Sequence, residues 1–113
     1  MDKVEGALSY FDGAANTRAM AEAGSPLAVK VLAFKIGGFE DWHLMSRGEA
    51  LLAMAARDLM PETEAFEREW YWTSTQYADV SDCAWFQGFY NGNQNNWHKD
   101  GKDMARAVRR VAI

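Results

Sequence analysis

From Phe66 onward the apolar residues of this chain recur at every second position, whereas the segments before it repeat them every three or four. A chain whose period changes in this way collects its helices first and its sheet afterwards, an α+β order rather than a βαβ alternation. Trp70 and Trp72 flank Tyr71, and Cys83, Trp85, Gln87 and Phe89 alternate with Ala84, Phe86, Gly88 and Tyr90. Asn91-Gly92 is the strongest turn signal, because both central residues of a type I′ turn need positive φ. Residues 84–90 are therefore expected to pair antiparallel with 93–99, and Asp100-Gly101 to close the hairpin. Residues 104–112 alternate again, with Met104, Arg106, Val108, Arg110 and Ala112 on one face and Ala105, Ala107, Arg109, Val111 and Ile113 on the other, and predict a final strand.

The preceding half carries helix signals. Asp12-Gly13 marks a turn, Asn16-Thr17 offers an N-cap for an alanine-rich helix to about Glu22, and Gly24 stops it. Ser25-Pro26 opens a second helix whose apolar face holds Leu27, Val31 and Phe34 and which runs to Gly37-Gly38. Residues 39–44 alternate and predict an extended segment with Trp42 and Leu44 inward. Ser46 and Glu49 form a capping box for a third helix with Ala50, Leu51, Met54, Ala55 and Leu59 as its stripe and Pro61 as its end.

With 113 residues there is core enough for one domain, residues 1–113, and 49% apolar residues suffice to fill it. The net charge of −4 disfavours duplex nucleic acid, although Arg106, Arg109 and Arg110 form a local basic patch. Cys83 has no second cysteine to bridge to, so the fold rests on packing, as in a reducing cytosol. No apolar run approaches the roughly 20 residues of a membrane span, and Met1-Asp2-Lys3 opens no Sec signal, so a soluble protein is expected.

Several of these elements resemble, in order, the motifs of the Lcl C-terminal-like family of bacterial and phage proteins. They are Asp12-Gly13-Ala14-Ala15-Asn16-Thr17, Gly37-Gly38-Phe39-Glu40-Asp41-Trp42-His43-Leu44-Met45-Ser46-Arg47-Gly48-Glu49, Tyr71-Trp72-Thr73-Ser74-Thr75, Ala84-Trp85 and the closing Arg106 to Arg110 segment. The resemblance spans roughly residues 12–110. It implies a C-type-lectin-like fold, related to the receptor-binding domains of phage tropism determinants and to sulfatase-modifying enzymes. Met45 stands where the family has Pro, and Ala50 where it has Leu. The first loosens the turn before the third helix, and the second removes core volume.

Catalytic chemistry finds little support. His43 and His98 lie far apart without metal-ligand spacing, so no metal or other cofactor is expected. Asp79, Ser81 and Asp82 offer oxygen ligands to calcium, but the sugar-binding calcium motif of lectins is missing, and they read as a solvated acidic loop. Cys83 reads as a small core residue, and the sulfatase-modifying relatives need paired cysteines. Thr73-Ser74-Thr75 reads as strand hydroxyls rather than a nucleophile. Trp42, Trp72 and Trp85 are assigned to the core, and Trp97 to the surface.

What remains is Tyr90, Asn91, Asn93, Gln94, Asn95, Asn96, Trp97, His98 and Lys99, where amide groups that donate and accept stand beside large rigid rings. This is the expected ligand-binding face, and the tropism-determinant relatives imply the same region. The expected function is a non-catalytic recognition module of phage or prophage origin, binding a protein or glycan at a tail or cell surface. The alternative is a free-standing phage protein in the host cytoplasm that binds and blocks a host protein such as a defence component. Homo-oligomers are compatible with either. A full gene product of 113 residues favours the alternative, and a domain excised from a longer shaft favours the first.

Overall fold

The computed structural model describes residues 3–56, 70–79, 83–89, 92–99 and 105–109. Within them the order is helix, helix, strand, helix and then strands: α1 (Gly13–Glu22), α2 (Pro26–Leu32), β1 (His43–Leu44), α3 (Arg47–Ala56), β2 (Trp70–Gln76), β3 (Cys83–Gly88), β4 (Gln94–His98) and β5 (Ala107–Val108). The α+β class follows. The strands form two antiparallel sheets instead of the single sheet expected, one in the order β2-β3-β4 and one pairing β1 with β5.

Helix α1 starts three residues before its expected cap. Asp12 accepts the Ala15 amide at 3.0 Å and makes the cap, while Asn16 and Thr17 lie inside the helix and are buried. Its C-terminus is a Schellman turn: Ser25 N donates to Met20 O and Gly24 N to Ala21 O, both at 3.0 Å, with Gly24 at φ 99. Ser25 then caps α2 through the Ala28 amide, so the two helices share one corner. Helix α2 ends at Leu32, short of Gly37-Gly38, because the Ala33 and Phe34 amides already tighten onto Lys30 O and Val31 O.

The segment 39–44 narrows to the two-residue β1. Trp42 does not enter the core: it is half-buried, and its indole N donates to Ile36 O at 3.1 Å, which ties down the glycine turn. His43 and Leu44 are both buried. Leu44 pairs with Ala107 and His43 with Val108, so the closing strand reaches β1 and is two residues long. Its expected positions 104 and 110–112 lie outside the described residues, as do Phe66, Leu59, Pro61 and Asp100-Gly101. In α3 the capping box forms as expected, Ser46 N to Glu49 Oε1 at 2.9 Å and Glu49 N to Ser46 Oγ at 3.1 Å. The inward stripe is Ala50, Ala53 and Met54, whereas Leu51 and Ala55 face outward.

The β2-β3-β4 sheet is covered on both faces. Trp72, Ala84 and Phe86 pack with Met20, Ala28, Val31 and Leu44, while Tyr71 and Phe89 pack with Met45 and the stripe of α3. Tyr71 to Gln76 are therefore buried without alternation. Between Trp72↔Phe86 and Gln76↔Ala84 the register slips, and Thr73, Ser74 and Thr75 bulge opposite Trp85. Trp85 is only half-buried, contrary to expectation. The hairpin pairs β3 with β4, but with Phe86 opposite Asn95 and Gly88 N donating to Asn93 O at 2.8 Å. The connection thus spans 89–92 rather than two residues, and Gly92 takes φ 78.

Trp72 is 2% exposed, and its indole N has no hydrogen-bond partner among the described residues. Trp72→Ala is expected to cost about 3–5 kcal/mol, as truncation of a buried aromatic does. Trp72→Phe loses volume but no hydrogen bond and should cost distinctly less, and Trp42→Ala least of the three. Urea-unfolding midpoints test the order, and equal losses for Trp42 and Trp72 would contradict the packing described.

Candidate functional site

The bulge of β2 settles what the hydroxyls of Thr73, Ser74 and Thr75 do. Ser74 Oγ lies 3.0 Å from Leu44 O, 3.1 Å from Met45 O and 3.4 Å from Gly13 O, and its amide donates to Met45 O at 2.8 Å. Thr75 Oγ1 donates to Ser9 O at 2.9 Å and accepts from the Arg47 amide at 3.0 Å and Asn16 Nδ2 at 3.2 Å. Thr73 Oγ1 donates to Trp85 O at 2.6 Å. All three side chains are buried and engaged with backbone, which is structural work and leaves no hydroxyl facing a cleft. Cys83, as expected, is a small buried residue.

The sequence-derived recognition face is brought together only in part. Tyr90 and Asn91 lie outside the described residues, and His98 is placed by its backbone opposite Cys83. Asn93 is exposed and Lys99 half-buried. Asn95 is exposed and folds its Oδ1 back onto the Asn96 amide at 2.9 Å. Gln94 turns the other way, into the α3 side, where its Nε2 donates to Arg47 O at 2.7 Å and Gln87 Oε1 at 2.8 Å.

Asn95, Asn96 and Trp97 do share a concavity of about 390 Å³, which Trp70 and Phe86 also line. Trp97 is 59% exposed, as expected, and Trp70 is 37% exposed. Strand register explains the grouping: Trp70 lies opposite Gly88, Phe86 opposite Asn95, and Trp97 opposite Ala84, so their side chains share one face. Gly88 has no side chain to fill the space beside Trp70. The sequence signal for Trp70 was its two-residue spacing from Trp72, which puts it on the same face but past the cover of the helices. The described lining residues offer indole faces for stacking and carboxamides for hydrogen bonding.

The basic patch divides. Arg109 forks onto Asp41 at 2.6 and 3.1 Å and lies 3.6 Å from the Phe39 ring centroid, and its hydrogen bonds hold the Asp41 carboxyl below the usual range. Arg106 is half-buried, and Arg110 lies outside the described residues. Asp79 is exposed, and Ser81 and Asp82 lie outside the description. Among the described residues no group of three or more His, Cys, Asp or Glu is placed to hold a metal.

Among the described residues a buried histidine–glutamate pair stands beside the start of α3. His43 Nε2 is 3.1 Å from Glu49 Oε2, with both side chains nearly enclosed. Burial pushes the Glu49 carboxyl up, but hydrogen bonds from His43 and Ser46 and the His43 charge outweigh it and hold the group below its ordinary value of 4.5. A carboxyl depressed on folding adds stability above its unfolded pKa and loses it as pH falls through the folded value. The wild type should therefore lose stability more steeply than Glu49→Gln below about pH 4.5. Parallel urea titrations from pH 7 to pH 3 measure this, and equal slopes for the two proteins would remove Glu49 from the acid response.

Comparison with protein-family models, with curated proteins and with solved structures found no match for this chain.

Proposed function

We propose that this chain is a non-catalytic recognition module, C-type-lectin-like in fold, that holds its ligand in the groove of Trp70, Asn95, Asn96 and Trp97. The observation that carries the reading is that groove: two partly exposed indoles flank two carboxamides, with no ionisable side chain among the described lining residues. Indole faces stack on flat, weakly polar surfaces, and carboxamides both donate and accept, a pairing that suits the hydroxyls of a neutral glycan. The engagement of Thr73, Ser74 and Thr75 with backbone supports the non-catalytic part. The phage or prophage setting rests on the family resemblance of residues 12–110.

A second reading, a protein that binds and blocks a host protein, draws on a different observation. Phe11 and Leu52 are both 67% exposed, and Phe11 lies against Gly48, one turn before Leu52 on α3. Exposed apolar residues grouped in this way suit a protein partner better than a sugar.

Glycan-array binding by the wild type and by Trp97→Ala tests the first reading. Trp97→Ala is expected to weaken binding by about 1–3 kcal/mol, the scale for a useful aromatic contact, with the melting temperature nearly unchanged. Retained affinity in Trp97→Ala would move the interface off this groove. An empty array together with a protein complex broken by Phe11→Ser and Leu52→Ser would favour the second reading.

A further inference from the structure

Arg47 is held in a way that packing alone does not require. Its guanidinium carbon lies 3.5 Å from the Trp85 ring centroid and 4.4 Å from that of Tyr10, so aromatic rings cover it on two sides. Its Nε donates to Gln94 Oε1 at 2.8 Å, and Gln94 Nε2 returns to the Arg47 carbonyl at 2.7 Å. Buried Gln87 fixes Gln94 in turn, its Oε1 accepting at 2.8 Å. The side chain has little rotamer freedom left to lose.

The ion pairs among the described residues are Lys35–Glu40, His43–Glu49 and Arg109–Asp41, and none of them takes Arg47. In a chain of net charge −4, this immobilised guanidinium has no carboxylate partner among the described residues. With Nε used, the terminal N–H groups have no acceptor among the described residues. A planar donor fork fixed in advance matches a carboxylate, which accepts two parallel N–H bonds. Tyr10 and Trp85, the two rings that flank the guanidinium, also line a cavity of about 400 Å³ together with Tyr77 and Asp79. Asp79 at that hollow opposes a second negative charge, which favours a monoanion over a phosphate dianion.

We propose that Arg47 is the anchor of a second binding site, separate from the Trp70–Trp97 groove, that takes a carboxylate carried on an apolar or aromatic body. The carboxylate meets the guanidinium edge, and the body lies against Tyr10, Tyr77 and Trp85. The site stands or falls independently of glycan recognition, because the two cavities share no described lining residue.

Sodium benzoate is the probe, with benzamide as its neutral isostere and inorganic phosphate as the competing anion, followed on the Arg47 Nε–H and Trp85 indole signals by nuclear magnetic resonance. Benzoate should saturate, move both signals and bind at least about tenfold more tightly than benzamide. Arg47→Lys, which keeps charge but loses the fork, should lose about as much. Should Arg47→Lys fail to fold, the contrast between benzoate and benzamide on the wild type still decides. Equal binding of benzamide, or saturation without movement of the Arg47 signal, would overturn the site. Tighter binding of phosphate than of benzoate would overturn the carboxylate assignment.

Discussion

Ser74 is the residue on which the remainder of the fold depends. Its amide and hydroxyl reach the carbonyls of Leu44 and Met45, and its hydroxyl also approaches Gly13, so one short side chain joins β2, the start of α1 and the loop into α3. Buried carbonyls need donors, and water is excluded here, so the bulge supplies them. The fit is close enough that a Cβ on Gly13 would fall on Glu49 Oε1 and the Leu44 carbonyl. Thr17 extends the hub, donating to Gly13 O at 2.6 Å and accepting the Leu44 amide at 3.0 Å. Polar groups thus fix the angles between elements, and the two apolar clusters fill the space on either side.

Signals read within a few residues were the legible ones. The capping box at Ser46 and Glu49, the Ser25-Pro26 start and the Gly24 stop depend on neighbouring backbone, and each formed. Asn16 and Thr17 misled because a side chain that caps a helix is also one that bonds a distant loop: Asn16 reaches Ser9 O and Thr75 Oγ1. Alternation located the strands but not which side chains of β2 and β3 are buried, half-buried Trp85 among the misplaced, since a strand covered on both faces has no outward side to mark. Leu51 was placed inward because it is large and apolar, yet the helix turns Ala50, Ala53 and Met54 to the sheet and leaves Leu51 outside.

The candidate site was half visible. Asn95, Asn96 and Trp97 stand together as their composition suggested, but Trp70 joins them only through strand register, which no single segment encodes. Gln94 was grouped with them and belongs instead to the Arg47 side, where its amide bonds the Arg47 carbonyl and Gln87. Arg47 gave no warning: its aromatic neighbours lie at Tyr10 and Trp85, far off in sequence on either side.

The hub also dictates an order of events during folding. The carbonyls of Ser9, Gly13, Leu44 and Met45 find their partners at Ser74 and Thr75, as many as 66 residues further along the chain. Loop closure on that scale must precede any gain from these bonds, which slows folding relative to a chain of local contacts alone despite the three α-helices among the described residues. During synthesis the helical half emerges with its polar loops still hydrated, and it locks only when β2 arrives to dry them.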